Sequence, residues 1–167
     1  MSWLTTDELE RAVQRCADSD VLRHAFRSIY PHIQLPILRL NTKRLPVVLI
    51  VNTDTHNLPG QHWISIYIDR NRKGELFDSL ANPPSTHIER FLNRYCTTWV
   101  RNRCVYQPSY SSYCGVYVLL HVLRRAHYPT FKRFCASYFT DIPIVNDLLM
   151  RDYYNHHILP HIHHRCR

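Results

Sequence analysis

The feature that most constrains the fold is the run Val47–Val51, which reads Val-Val-Leu-Ile-Val without a polar residue. A continuous apolar run of this length, rich in β-branched side chains, is typical of a strand that is buried on both faces. A strand with one solvated face alternates apolar and polar residues instead. The run therefore predicts an interior strand that other elements cover from both sides.

Two more strands are predicted after this run. Isoleucines alternate with more polar residues over 64–68, which predicts a strand with one polar-leaning face. Residues 71–74 read Asn-Arg-Lys-Gly and predict a hairpin turn into a strand over 75–78. A short strand is also expected at Cys104–Tyr106, and residues 52–60 are expected to form a polar loop.

Helical patterns flank these strands. Thr5 and Glu8 form a capping box, and apolar periodicity predicts a first helix over 6–17. A capping box is also expected at Thr86 and Glu89, at the start of another helix. The remaining expected helices cover 20–29, 114–126, a segment after Pro129, and 141–159, and the proline-containing segment 31–46 is expected to be a loop. This order predicts a single α+β domain over residues 1–167, with a small, mostly antiparallel sheet packed with helices.

The composition restricts the compartment and the partners. The formal net charge is +8, with basic residues in short groups such as Lys43–Arg44 and Lys132–Arg133. This charge fits a partner that is a polyanion such as DNA, and it equally fits a generally basic soluble surface. No window approaches the roughly 18 apolar residues of a membrane span, and no secretory signal is recognisable. The six cysteines lack Cys-x-x-Cys spacing, which predicts free thiols in a reducing compartment, inside a cell or a particle.

The candidate nucleophile is Cys114, which together with Gly115 opens the apolar helix predicted over 114–126. The unpaired N–H groups at a helix N-terminus favour negative charge, so a thiol there is poised to ionise. The alternative for Cys114 is a buried structural cysteine, which is common in apolar helices.

His62 and Asp78 are the candidate base and orienting acid. His62 begins one strand of the hairpin, and Asp78 ends the other, so a short turn brings the two residues to the same end. The imidazole of His62 would take the thiol proton, and Asp78 would fix its tautomer through the other ring nitrogen. The alternatives are a histidine at a strand end and an aspartate that caps a strand.

Gln107 is the candidate oxyanion donor, seven residues before Cys114. Its side-chain amide would act with the backbone N–H of Cys114 on the negative oxygen that forms during acyl transfer. The alternative is a loop glutamine that faces solvent. In the order His, Asp, Gln and Cys, the four residues supply the groups that a cysteine protease needs.

The same residues carry a resemblance to a known family. Three stretches resemble the adenovirus maturation protease family, adenain: Ile50-Val51-Asn52-Thr53 followed by Gly60-x-His62-Trp63, Leu76-Phe77 before an acid, and Gln107 separated by six residues from Cys114-Gly115. More distantly, the pattern and Asp78-Ser79-Leu80 resemble the SUMO-type ubiquitin-like-modifier proteases. The resemblance covers about residues 5–126, and residues 127–167 match only as helical. It implies an adenain-like cysteine protease fold.

The resemblance also implies a function. It implies a cysteine endopeptidase that cleaves viral capsid and core precursors, often after Gly, in the virion and the host cell nucleus. It implies no metal or organic cofactor, but activation by DNA and by a short viral peptide that forms a disulfide with the enzyme. Cys96 stands at the position of that disulfide, with Cys104 as the competing thiol and an ordinary free thiol as the alternative.

Other functions remain open from the sequence alone. One is an isopeptidase acting on ubiquitin-like modifiers, and another is a basic, non-catalytic DNA-binding virion protein. A zinc-dependent nucleic-acid module is disfavoured, because the Cys and His spacings do not fit a zinc finger. The histidines near the C-terminus are expected to form a solvated or weakly metal-binding tail; they are His156, His157, His161, His163 and His164, followed by Cys166.

Overall fold

The computed structural model describes residues 4–17, 25–53 and 62–162. Its helices are α1 Thr6–Cys16, α2 Thr86–Tyr95, α3 Cys114–Arg124, α4 Phe131–Tyr138, α5 Pro143–Tyr153 and α6 Leu159–Ile162. Its strands are β1 Phe26–Pro31, β2 Val47–Asn52, β3 Trp63–Ile68, β4 Lys73–Phe77 and β5 Thr98–Arg101. A π-helical turn, Tyr154–Ile158, joins α5 to α6. The α+β prediction is confirmed.

The five strands form one sheet in the order β1-β2-β3-β4-β5. The two inner pairings, β2 with β3 and β3 with β4, are antiparallel, whereas β1 with β2 and β4 with β5 are parallel. The sheet is therefore mixed rather than mostly antiparallel. Parallel neighbours need a crossover between them, and here segment 32–46 connects β1 to β2 while α2 connects β4 to β5.

Strand β2 is buried on both faces, as its apolar run predicts. Val48 and Ile50 pack into the core cluster that contains the helix α3. Val47, Leu49 and Val51 point the other way, into the cluster formed with α2. The sheet is thus the middle layer, with α3 on one face and α2 on the other. Helix α3 is itself buried along its length, because layers cover it from both sides.

Two expected elements are corrected by the structure. Residues 26–29 belong to strand β1 and not to a helix, because they pair with β2 at Ile29↔Ile50; residues 20–24 of that expected helix lie outside the described residues. No strand forms at Cys104–Tyr106 within the described chain, and the edge strand is β5, beside β4. Strands β1 and β5 both make parallel pairings. Such pairings join segments that are distant in sequence, so no local turn motif predicts them.

Of the two capping boxes expected from the sequence, the structure has one and differs at the other. The capping box of α1 is present, with the Glu8 N–H donating to Thr5 Oγ1 at 3.3 Å and the Thr5 N–H donating to Glu8 Oε2 at 2.8 Å. Helix α2 is capped by Ser85 rather than by Thr86. Helix α4 begins two residues after Pro129, with Thr130 as its cap. No helix in the described part of the chain is long and apolar enough to span a membrane.

Candidate active site

The β3–β4 hairpin brings His62 and Asp78 together. His62 immediately precedes β3, and Asp78 immediately follows β4. The strands pair in antiparallel register with Ser65 opposite Phe77, so the start of β3 lies beside the end of β4. The two side chains consequently meet at the same end of these two interior strands, as the sequence predicts.

A short hydrogen bond joins the imidazole to the carboxylate. His62 Nε2 lies 2.7 Å from Asp78 Oδ1. The backbone N–H of Leu80 also donates to Oδ1 at 2.8 Å, and the N–H of Asn82 donates to Oδ2 at 3.2 Å. An ionised carboxylate only accepts hydrogen bonds, so the protonated nitrogen facing Asp78 is Nε2. This fixes the ring and leaves Nδ1 as the nitrogen that can serve a second partner.

Cys114 is that second partner. It is the first residue of α3 and is 4% exposed, and its thiol is near enough to help raise the pKa of His62. The thiol is thus the group that His62 can deprotonate. It also lies at the helix end where backbone N–H groups lack intrahelical acceptors and favour an anion.

The glycine after the nucleophile has a packing role. A Cβ on Gly115 would lie 3.1 Å from Leu4 Cβ and 3.4 Å from Trp63 Cδ1. Trp63 is 1% exposed and donates from Nε1 to the Leu4 carbonyl at 3.1 Å. The missing side chain lets the N-terminal segment and the indole pack directly on the first turn of α3. Trp63 is thus a core residue.

The neighbours of His62 favour its charged form. Burial alone lowers the pKa of His62, but the hydrogen bonds to Asp78 and Cys114 and the charges of both groups outweigh it. The net effect raises the pKa of His62 to about 9. The imidazole is therefore protonated at neutral pH, which is the state that an ion pair with a thiolate requires.

Gln107 lies in the same assembly and is 1% exposed, so it is not a solvent-facing loop residue. Its Nε2 donates to the Ser111 carbonyl at 2.9 Å, and its Oε1 accepts from the Ser79 hydroxyl at 2.6 Å. An amide nitrogen has two hydrogens, and the Ser111 carbonyl uses one of them. The second can serve an oxyanion, the role expected from the sequence.

Two buried polar residues that sequence reasoning did not assign to the site hold its parts in place. Asn102 accepts from the Asp78 N–H at 3.0 Å and donates to the Asp78 carbonyl at 2.6 Å. Its side-chain amide therefore holds both backbone groups of Asp78. The Ser79 hydroxyl binds Gln107. Neither residue belongs to a local pattern, since each acts on a partner more than 20 residues away. Ser79 was part of the Asp-Ser-Leu resemblance, which was the one signal available for it.

The two cysteines considered for an activating peptide differ in access. Cys96 is 7% exposed, and burial raises the pKa of its thiol to about 11. Its sulfur packs so closely on Gly74 that a Cβ there would collide with it. Cys104 is exposed and lines a groove of about 1180 Å³ between β5 and α4. The burial of Cys96 and the raised pKa of its thiol therefore disfavour it for disulfide formation, whereas Cys104 is accessible.

Two of the depressions in the described part of the chain bear on the site. The smaller, of about 230 Å³, is lined by His62 and Asp78 and by residues of segment 82–85. The larger is the groove beside β5, which contains none of His62, Gln107 or Cys114. Neither depression is lined by Cys114, but the smaller one is lined by His62 and Asp78 and therefore adjoins the candidate catalytic groups.

The C-terminal histidines do not form a metal centre in the described part of the chain. His156, His157 and His161 are exposed, while residues 163–167, with the last two histidines and Cys166, lie outside the described residues. Within 4–17, 25–53 and 62–162, no cluster of three or more His, Cys, Asp or Glu side chains could hold a metal ion.

Similarity to known proteins bears on the fold and on the class of enzyme. No protein-family model matches the sequence. A protein of Acanthamoeba polyphaga mimivirus that is named as a thiol protease is 29% identical over 89 residues, covering 47% of this chain and 29% of its own length. The solved ASFV pS273R protease is 17% identical, with a TM-score of 0.66, over 94% of this chain and 67% of that one. The SUMO protease Ulp1 is 14% identical over 90% of this chain and 78% of its own, with a TM-score of 0.46, which carries no argument.

These matches support the expectation that the chain resembles a viral cysteine protease. At 17% identity the pS273R likeness establishes the fold alone, which is that of a cysteine protease. The sequence match adds a viral thiol protease, although this chain spans less than a third of that protein's length. Together with the assembled His62, Asp78 and Cys114, they support the prediction of a thiol-protease catalytic unit. The adenain family in particular stays a prediction.

Proposed function

We propose that this chain is a viral-type cysteine endopeptidase that cleaves precursor polypeptides. The observation that carries the proposal is the placement of His62, which is hydrogen-bonded to Asp78 and lies near enough to Cys114 for the thiol to help raise the pKa of the imidazole. A buried structural cysteine needs neither an imidazole nor an orienting acid.

The groups suit a two-step acyl transfer. The Cys114 proton is held by His62, and the thiolate attacks the peptide carbonyl carbon to form a C–S bond. The resulting oxyanion is bound by Gln107 Nε2 and the Cys114 backbone N–H. His62 then returns its proton to the leaving amine as the C–N bond breaks, which leaves a thioester. Water, deprotonated by His62, hydrolyses the thioester and regenerates the thiol.

Cys114→Ala tests the proposal directly in a peptide-cleavage assay. The variant is expected to lose at least about 10⁴-fold in kcat, because it removes the atom that forms the acyl intermediate. Cys104→Ser, which changes an exposed thiol outside the site, is the matched control and, assayed without an activating peptide, should cleave like the wild type. Equal activity of Cys114→Ala and wild type would reject the protease assignment.

The substrate class rests on the viral relative and on the resemblance. We propose capsid or core precursors as substrates during virion maturation, with cleavage after small residues such as Gly. A panel of viral precursor peptides and Gly-Gly-linked modifier conjugates tests this choice. Preferential release of a folded ubiquitin-like modifier would instead assign the chain as an isopeptidase.

DNA and an activating peptide belong to the same proposal. The net charge of +8 and exposed side chains such as Lys132 and Arg133 support a DNA partner. Arg125 does not contribute to such a surface, because it is buried against Glu75. Duplex DNA should bind with an affinity that falls steeply with salt and should raise the cleavage rate; salt-insensitive or absent binding would contradict this.

The exposure of Cys104 supports it as the thiol that a peptide would engage, in place of Cys96. Mass spectrometry of the protein incubated with a cysteine-containing viral peptide measures this choice. A mixed disulfide on Cys104 is the expected product, and one on Cys96 would contradict the argument from access.

A further inference from the structure

The residue after the catalytic acid is bonded to the oxyanion donor. Ser79 is fully buried, and its hydroxyl donates to Gln107 Oε1 at 2.6 Å. Its carbonyl accepts the backbone N–H groups of Tyr106 at 2.8 Å and of Gln107 at 3.0 Å. Ser79 thus holds Gln107 through both its main chain and its side chain.

These bonds select one orientation of the Gln107 amide. With Oε1 facing the Ser79 hydroxyl, Nε2 faces the Ser111 carbonyl, and every contact joins a donor to an acceptor. In the reversed orientation the amide oxygen would face the Ser111 carbonyl oxygen, and two acceptors would meet. Because Gln107 is 1% exposed, water is poorly placed to compensate.

The Ser111 end of this chain of bonds is also anchored. The Ser111 hydroxyl donates to Asp147 Oδ1 of α5 at 2.6 Å and accepts from the Tyr113 N–H at 3.2 Å. The carbonyl that orients Nε2 is therefore fixed to the helix layer. The Ser79 hydroxyl is the side-chain group that anchors the opposite end of the amide, at Oε1.

Building on the proposed protease function, we propose that Ser79 is a positioning residue that aims the Gln107 amide at the oxyanion. Asp78 and Ser79 are adjacent in sequence. Asp78 orients the base, His62, and Ser79 orients the oxyanion donor, Gln107. Removing the Ser79 hydroxyl leaves a buried Oε1 without its donor and lets the amide turn away from the substrate.

The test is a double-mutant cycle on kcat with a peptide substrate that the wild type cleaves. Ser79→Ala is expected to lower kcat about tenfold with KM unchanged, and Gln107→Ala to lower it about 10²–10³-fold. The double variant should match Gln107→Ala alone, because Ser79 acts through that amide. Alkylation of Cys114 by iodoacetamide should proceed at the wild-type rate in Ser79→Ala, since this displacement forms no oxyanion.

Ser65→Ala is the matched control, since Ser65 is equally buried but its hydroxyl bonds His121. It should leave kcat unchanged. If Ser79→Ala does not fold, Ser79→Cys, with a weaker donor of similar size, enters the same cycle. Additive losses in kcat, or equal losses in kcat and alkylation rate, would overturn the positioning role. A wild-type protein that cleaves no substrate would instead overturn the proposed function.

Discussion

The same three elements, β3, β4 and α3, carry two sets of similar groups. The catalytic array consists of His62, Asp78 and Cys114. The sealed array consists of Ser65, His121 and Glu75. Each set joins a hydroxyl or thiol, an imidazole and a carboxylate. Only the catalytic array lies where the elements begin or end, while the sealed array lies along their lengths.

The surroundings of the two imidazoles differ. The side chain of His62 is 16% exposed, and its bonds to Asp78 and Cys114 raise its pKa to about 9. His121 is 0% exposed, and burial lowers its pKa below the usual value. Its Nδ1 lies 2.8 Å from Ser65 Oγ, but its Nε2 is 3.9 Å from Glu75 Oε2, too far for a hydrogen bond.

Glu75 forms an ion pair with Arg125 instead. Arg125 Nε donates to Glu75 Oε2 at 2.6 Å, and a second guanidinium nitrogen donates to Oε1. Burial raises the pKa of Glu75, but His121 and Arg125 outweigh it and the net pKa is lowered. The comparison shows that residue types alone do not make a catalytic site. The exposure of the imidazole and the group that binds the carboxylate determine whether the set can act on a substrate.

The largest expected effect on the sealed array follows Glu75→Ala. The change leaves Arg125 buried without its carboxylate and should lower the free energy of unfolding by about 3–5 kcal/mol. Chemical denaturation measures this, while kcat of the folded protein should stay near the wild-type value. Asp152→Ala, which removes an exposed ion-pair partner of Arg151, is the control and should cost under about 1 kcal/mol. A loss of kcat without loss of stability would make the sealed array catalytic.

Asp78→Asn should have the next largest effect, on catalysis. It keeps the shape of the side chain but removes the charge that favours protonated His62. We expect kcat/KM to fall on the order of 10²-fold.

The raised pKa of His62 also predicts the direction in which activity changes with pH. A raised pKa means that the imidazolium is present below pH about 9 and is lost above it, so wild-type activity should fall as pH rises through that value. In Asp78→Asn, the burial that lowers the His62 pKa is less opposed, so the alkaline limb should move to lower pH. An unchanged alkaline limb would show that Asp78 does not set the protonation of His62.

Ser65→Ala should have the smallest effect. It leaves His121 Nδ1 without its 2.8 Å partner and should lower the free energy of unfolding by about 1 kcal/mol. Cleavage by the folded protein should be unchanged, in contrast to the tenfold loss expected for Ser79→Ala. A comparable loss of kcat in both serine variants would remove the distinction between the two arrays.

The sequence predicted the catalytic array because its members occupy recognisable local positions. His62 and Asp78 flank a hairpin, and Cys114 opens an apolar helix, so spacing along the chain reports their geometry. Asn102 could not be found in this way, because it acts by gripping the backbone of a residue 24 positions away. The strands β1 and β5 were missed for the same reason, since parallel pairing joins segments that no turn connects.

The central claim is that His62 activates Cys114, and selective alkylation tests it most directly. Wild-type protein is treated with substoichiometric iodoacetamide at pH 7, and the labelled cysteine is identified by peptide mass spectrometry. Access alone predicts labelling of the exposed Cys104, since Cys114 is 4% exposed. The account predicts that Cys114 is labelled first, and that His62→Ala reverses the order. Preferential labelling of Cys104 in the wild type, or an order that does not change in His62→Ala, would contradict the account.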